Sequence, residues 1–194
     1  MEPVTLTTER LLLRSVEPAD TEAVFLACQD PDVQRWTTVP SPYEREHAVS
    51  FTEQTVPDGW RNGTMCTFAL LPRDSRDGGP LLGCMSVMVR SLPGTWEIGY
   101  WTAKEHRGHG YTAEAMLALA RWAFTELGTE RLEWRAEVGN AGSRAVAERA
   151  GFVIEGIQRS GLLNNGTRRD SWLGALVPSD LGLTSAHPYL PARA

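Results

Sequence analysis

The densest chemistry in the chain lies in six consecutive residues: Arg107, Gly108, His109, Gly110, Tyr111 and Thr112. They separate an apolar run, TWEIGYW, from a long stretch with helical spacing. A glycine-rich turn that opens a helix leaves several backbone N–H groups without acceptors, and the helix dipole adds partial positive charge there. Phosphate is the natural guest. Gly108 and Gly110 can take positive φ and approach a diphosphate closely, while Arg107 offers a charge-assisted contact.

Two familiar phosphate loops fit this turn badly. A P-loop needs a lysine directly after its last glycine, and here Tyr111 follows Gly110. Gly108-x-Gly110-x-x-Ala113 satisfies the relaxed dinucleotide fingerprint, but TAKEHR interposes polar residues between strand and glycine. The preceding elements also lack βα alternation, so an NAD(P)-dependent oxidoreductase is a distant reading.

The surrounding pattern supplies the scaffold. Leu11 to Val16 reads as a short buried strand, and Pro18 with Asp20 starts an amphipathic helix carrying Val24, Phe25 and Cys28. DPDVQRWTTVPSP reads as a turn-rich passage holding Trp36, followed by helical composition from Tyr43 to about Val56 that Pro57, Gly59 and Gly63 should break. MCTFALL, PLLGCMSVMV and TWEIGYW, separated by PRDSRDGG and SLPG, predict an antiparallel meander. The clearest helix runs from about Thr112 to Leu127 and stops at Gly128; only the stripe Glu114, Ala118, Arg121 and Thr125 faces outward, so the helix should be largely buried. Leu132, Trp134, Ala136 and Val138 alternate with charges as a half-buried strand. Asn140 to Ala150 is a short helix ended by Gly151, and FVIEGIQRSGLL and TRRDSWLGALV form a hairpin about Asn164-Asn165-Gly166. Residues 1–181 make one domain and 182–194 a mobile tail.

Composition narrows the classes further. Apolar residues at 42% and charged residues at 22% of 194 suit one globular core. A net charge of −5 argues against nucleic acid as a partner. No run approaches the ~18 apolar residues of a membrane span, and the N-terminus lacks a signal pattern, so a cytoplasmic protein is expected. Cys28, Cys66 and Cys84 are too scattered for a disulfide framework and read as buried hydrophobes, and no Cys/His cluster or HExxH suggests a metal.

The loop Arg107-x-x-Gly110-x-Thr112 opening a helix, then Asn140-x-x-Ser143, then Ala150-Gly151-Phe152, resembles the acyl-CoA-binding core of the GNAT N-acetyltransferase superfamily. TERLLLR, DPDVQRW and EIGYW resemble its ribosomal-protein branch, the RimJ/RimL type. The likeness covers about residues 7 to 180; Thr112 stands where that motif usually has Gly or Ala, so its side chain should either crowd the diphosphate or add a hydrogen bond.

The resemblance implies an α/β (α+β) fold with a single mixed sheet of about seven strands, helices on both faces, and a splay between two parallel strands. Those would be the strand ending Tyr100-Trp101-Thr102 and the strand Arg131 to Val138, with Gly99 as the bulge that starts the splay. It further implies that acetyl-CoA binds there: pantetheine along the backbone of Trp101 and Thr102, diphosphate on Arg107, Gly108, His109, Gly110, Tyr111 and Thr112, with Asn140 and Ser143 touching the pantetheine arm and sulfur. Asn140 equally suits the N-cap of its helix.

The acetyl group would pass by direct attack of an amine, with a backbone N–H at the splay polarising the carbonyl. Glu97, a carboxylate inside an apolar strand, is the candidate base, or else it simply pairs with an arginine. The tyrosine that many superfamily members use to protonate the leaving thiolate would fall at Ala147, so Ser143 is the substitute; a carboxylate sometimes found after the GF motif would fall near Leu162. Trp36, Tyr43 and Trp60 either wall the acceptor groove or fill the core, and Asp170 meets a cationic acceptor or pairs with Arg168 or Arg169. A protein N-terminal α-amine is the acceptor the branch suggests. A small amine or antibiotic, or a non-catalytic acyl-CoA-binding module, is the alternative, and the chain would act as a monomer or homodimer.

Overall fold

A computed structural model describes residues 1–75 and 79–192. The sheet has eight strands: β1 (Leu6–Thr7), β2 (Leu11–Ser15), β3 (Met65–Pro72), β4 (Gly83–Val89), β5 (Thr95–Thr102), β6 (Arg131–Glu137), β7 (Val153–Asn164) and β8 (Thr167–Leu176). Their spatial order is β1-β2-β3-β4-β5-β6-β8-β7, antiparallel throughout except for β5 against β6. The expected meander is therefore β3-β4-β5; part of the PRDSRDGG turn within it, residues 76–78, lies outside the described residues. The two-residue β1, too short to carry an alternating pattern, is the strand that sequence reading missed. Among the described residues no helix is long and apolar enough to cross a membrane.

Among the described residues six α-helices flank the sheet: α1 (Thr21–Ala27), α2 (Pro31–Trp36), α3 (Arg45–Ser50), α4 (Val56–Asn62), α5 (Tyr111–Glu126) and α6 (Ala141–Arg149). Two differ from expectation. The DPDVQRW passage is helical as α2, because an Asp30 Oδ1 accepts the Asp32 N–H and Pro31 occupies the first turn, where a missing N–H costs nothing. The next helix runs through Pro57 and Gly59 to Gly63: a π turn over Phe51–Thr55 widens the ladder just ahead of Pro57, which then sits in the first turn of α4. Only Gly63, at φ 65°, ends it.

Strand alternation assigns each side chain to a face. Ile98, Tyr100 and Thr102 of β5 share a face with Leu132, Trp134 and Ala136 of β6, and α5 and α6 cover it: Thr102 hydrogen-bonds Thr112, and Tyr100 and Trp134 both reach Ser143. Glu97, Gly99 and Trp101 share the opposite face with Arg135 and Glu137, where Arg35 of α2 meets Glu137 through two hydrogen bonds of 2.7 and 2.8 Å. Trp60 is not at the acceptor groove; it is buried edge-on to Phe68 and against Trp122 of α5, with its Nε1–H on the Thr67 carbonyl. Tyr43 is likewise core, and the three cysteines are free and buried.

The alternation of β6 fails at its end: Glu137 is buried against Arg35, and Val138, past the strand, is 37% exposed. The β7–β8 turn places Asn165 and Gly166 at φ 46° and 71°, the twist a two-residue hairpin requires. After Gly182 the chain is partly docked, with Leu183 against the core and His187 hydrogen-bonded to Glu130.

Candidate active site

The one parallel pair of strands among the described residues is incomplete. β5 and β6 pair only from Thr95↔Arg131 to Ile98↔Trp134. Beyond that point β5 stays bonded to β4 as far as Thr102, and β6 to β8 as far as Glu137, but not to each other. The register of β4 with β5 is unbroken through Ser86↔Gly99, so Gly99 is not a bulge. The strands part there without an inserted residue. The gap opens a cleft of about 770 Å³.

Its two ends have different chemistry. At one end a short 3₁₀ turn, Lys104–His106, leads into the glycine turn, where Gly108 and Gly110 stand at φ 81° and 77° as expected. Gly110 is the N-cap of α5, leaving the first amides of the helix directed at the cleft. A Cβ on Gly110 would lie 3.6 Å from the Arg10 guanidinium and 4.0 Å from that of Arg149, whereas beside Gly108 there is open space. Trp101, Thr102, Arg107, Gly108, Gly110 and Thr112 all line the cleft.

Three members of the expected set behave differently from a simple phosphate grip. His109 and Tyr111 do not line the cleft; their rings stack outside it, and Arg10 lies over the Tyr111 ring while bonding the His109 carbonyl. The Thr112 hydroxyl neither crowds the turn nor faces it, because it is bonded at 2.6 Å to Thr102. Arg107 is already engaged: its guanidinium pairs with Asp30 and, at 3.2 Å, Asp32 at the start of α2, and its Nε–H meets the Thr102 carbonyl at 3.2 Å. Arg149, on the last turn of α6, also lines the cleft and makes no ion pair among the described residues. It escaped sequence reading because nothing local ties it to a turn some forty residues earlier.

At the vertex of the gap the two candidate catalytic side chains flank the cleft from opposite faces. Glu97 lies between Arg90 and Arg135, its Oε2 at 3.4 and 3.5 Å from their Nε atoms, but the angles make no hydrogen bond, so Glu97 Oε2 and Arg135 Nε are both buried without one. Burial pushes the carboxyl above its ordinary range, with Glu133 adding to the rise and the two arginines opposing it. The arginine pairing and the access to the cleft therefore coexist.

Across the sheet, Asn140 caps α6 through the Ser143 N–H, and the Ser143 hydroxyl is held by Tyr100 at 2.9 Å and by Trp134 Nε1–H at 3.1 Å. Asn140 and Ser143 both line the cleft, while Ala147 is fully buried away from it. Leu162 lines it too, an apolar side chain at the place where the branch sometimes has a carboxylate. Trp36 forms part of the wall near Gly139. Asp170 does not bond Arg168 or Arg169; it accepts the Ser160 N–H at 2.9 Å, steadying a residue at φ 58° in the irregular part of β7.

An unpaired strand edge ending on amides and positive φ glycines is a shape that an extended chain carrying a diphosphate would fill. Comparison with known proteins points the same way. The pattern of the acetyltransferase (GNAT) domain matches residues 10–153. YdaF of Bacillus subtilis (strain 168), named provisionally as a ribosomal N-acetyltransferase, is 34% identical over 165 residues, 84% of this chain and 88% of that protein. RimJ of Mycobacterium smegmatis, solved in complex with CoA-disulfide, superposes with a TM-score of 0.80 at 21% identity over 95% of this chain and 93% of its own. A protein from Vibrio cholerae named provisionally as a ribosomal-protein-serine acetyltransferase gives 0.79 at 24% identity, over 92% and 100%.

Proposed function

The chain belongs to the GNAT acetyltransferase family and is an acetyl-CoA-dependent N-acetyltransferase; from that premise we propose that the amine it acetylates is the α-amine of a protein N-terminus. The observation that carries this reading is the incomplete β5–β6 pair, with Glu97 on one face of its vertex and Ser143 on the other. An amine approaching from the Glu97 face and a thiolate leaving toward the Ser143 face need not cross. The name of YdaF supports a ribosomal N-terminus as the class of acceptor.

Proton chemistry favours the same acceptor. An α-amine near ~8 is about one-tenth neutral at pH 7, a deficit of about 1.4 kcal/mol, whereas a lysine near ~10.4 faces about 4.6 kcal/mol. One buried carboxylate, its proton affinity raised by burial, suits the smaller task. Glu97 takes the ammonium proton through water.

Acetyl-CoA supplies the thioester acyl donor and the thiolate leaving group. Beyond Ile98 the open edge of β5 offers strand groups for an extended amide chain, although the Trp101 backbone faces Cys84 of β4 and the Thr102 carbonyl already holds Arg107 Nε–H; the first amides of α5, with Gly108, Gly110, Arg107 and Arg149, hold the diphosphate. His109 and Tyr111 contribute backbone only. Asn140 caps α6 and thereby fixes Ser143, whose hydroxyl donates to the departing sulfur. The three free cysteines fit a reducing, cytoplasmic setting.

The test is release of free CoA from acetyl-CoA with peptides bearing free or blocked N-termini, beside polyamines and aminoglycosides. Turnover with free N-termini alone supports the reading. Turnover only with small amines moves the acceptor to that class, and no turnover with any amine despite acetyl-CoA binding overturns it.

A further inference from the structure

Ser143 has one proton and two lone pairs to place, and its neighbours restrict the choices. Trp134 is 1% exposed, and its Nε1–H, which can only donate, points at Ser143 Oγ from 3.1 Å. The Tyr100 hydroxyl lies 2.9 Å from both Ser143 Oγ and the Ser143 carbonyl oxygen. Tyr100 has a single proton and can serve only one of them. Donated to the carbonyl, it leaves the Ser143 proton to turn back onto the Tyr100 oxygen, and no donor faces the cleft. Donated to Oγ, it fills the second lone pair beside Trp134, and the Ser143 proton has only the cleft to point into. The carbonyl is not stranded by that choice, since a helical carbonyl takes the amide four residues on.

We propose that Tyr100 is a positioning residue for the leaving group: together with the Trp134 indole it saturates Ser143 Oγ and turns the serine proton onto the thiolate sulfur exposed by acetyl transfer. The inference rests on the acetyl-transfer reading above. Ser143 touches the sulfur, and Tyr100 acts through it. Burial pushes the Tyr100 phenol up to about 12, so it keeps its proton over the working range. A thiol near ~8.5 lies well below that, so complete transfer of the Tyr100 proton to sulfur would run uphill. The arrangement therefore stabilises the thiolate by a directed hydrogen bond: the C–S electron pair stays on sulfur, one ammonium proton goes through water to Glu97 before attack, the second leaves the nitrogen for solvent water as the amide forms, and Tyr100 ends the reaction as it began.

Such an arrangement predicts a signature in the binary complex with CoA. The thiol of bound CoA, titrated by the ultraviolet absorbance of its thiolate, should ionise at lower pH in the wild type than in Tyr100→Phe or Ser143→Ala. Tyr100→Phe should lower kcat about tenfold, the worth of one hydrogen bond to a charged group, and leave KM for acetyl-CoA unchanged. In a Ser143→Ala background it should cost nothing further, because the proton it aims is gone. Trp134→Phe removes the other donor and should move the thiol the same way, should Tyr100→Phe fail to melt cooperatively. Identical thiol titration in wild type and Tyr100→Phe, or a full additional loss in the Ser143→Ala background, overturns the proposal. A wild-type protein that turns over no amine would instead sink the acetyl-transfer reading, and the thiol titration would still report on Tyr100.

Discussion

Glu97→Gln separates chemistry from folding because the same environment predicts opposite effects on the two. The glutamine keeps the shape and loses the charge. If Glu97 takes the ammonium proton through water, the wild type uses the whole acceptor pool, whereas the variant uses only amine that is already neutral. For an α-amine near ~8 that pool is about one-tenth at pH 7 and about nine-tenths at pH 9. The expected loss in kcat/KM is therefore about tenfold at pH 7 and close to nothing at pH 9. With a peptide whose only free amine is a lysine near ~10.4, about 4% is neutral at pH 9, so the loss should persist there. Stability runs the other way. Burial raises the Glu97 carboxyl more than Arg90 and Arg135 lower it, so the fold favours the protonated form, and the ionised group costs stability at neutral pH that is recovered as pH falls through the raised value. A neutral glutamine escapes that cost, while Arg135 retains Glu133 at 3.0 Å. The melting temperature at pH 7 should match or exceed that of the wild type. Initial rates across pH 6–9, with melting curves on the same samples, decide it. Equal losses at pH 7 and pH 9 would remove Glu97 as the base, and a destabilised variant would refute the burial argument.

Arg107→Ala should raise KM for acetyl-CoA about tenfold, the worth of one charge-assisted contact, with kcat at saturation largely kept; a collapse of kcat at unchanged KM would contradict the phosphate role. Gly110→Ala forces a Cβ into a φ of 77° and toward the Arg10 guanidinium, so it should cost about 1–2 kcal/mol of stability in chemical denaturation as well as weaken cofactor binding. Glu137 is held below its ordinary range chiefly by hydrogen bonds from Arg35, which outweigh its burial, so its contribution is present above about pH 4.3 and is lost as pH falls through the lowered value. Arg35→Gln should therefore lower the neutral plateau of a stability-against-pH curve and so flatten its acid limb, with stability below the lowered value little changed.

The parts of this fold that could be read from sequence are those with a local cause. Gly108, Gly110, Gly128, Gly151 and the Asn165-Gly166 pair are backbone requirements written into residue type, and each adopts positive φ where the pattern needs it. The alternation of β6 as far as Ala136 and the apolar girth of α5 likewise translate into burial without knowledge of the partner element. The failures have a different origin. Asp30-Pro31 is a helix start masked by the turn residues that follow it, and Pro57 reads locally as a stop although a π turn upstream gives it a first-turn position. Gly99 suggested a bulge, whereas the splay is a disagreement between two strands that neither strand encodes alone. In the site, Arg107, Gly108, Gly110, Thr112, Asn140 and Ser143 fall on the cleft, but Arg149 and the Tyr100–Ser143–Trp134 contact arise from strands and a helix distant in sequence, and no spacing rule could join them.

Arg107 shows how one side chain can serve both halves of a two-substrate site. A guanidinium has five N–H donors in a planar fork. Thr102, Asp32 and Asp30 each take one, which leaves two for a diphosphate at the glycine turn. Binding on that side therefore need not break the contacts to α2, and the added negative charge shares the same cation with Asp30 and Asp32. The same guanidinium ties the start of α2 to the end of β5, and α2 ends at Trp36, which lines the cleft near Gly139. A lysine would keep the charge but has three donors on a single nitrogen and no fork, so it could not hold a strand carbonyl, two carboxylates and a phosphate together. An arginine at position 107 is thus favoured by geometry as well as by charge: its planar fork spans the Thr102 carbonyl and the two carboxylates of α2 at once.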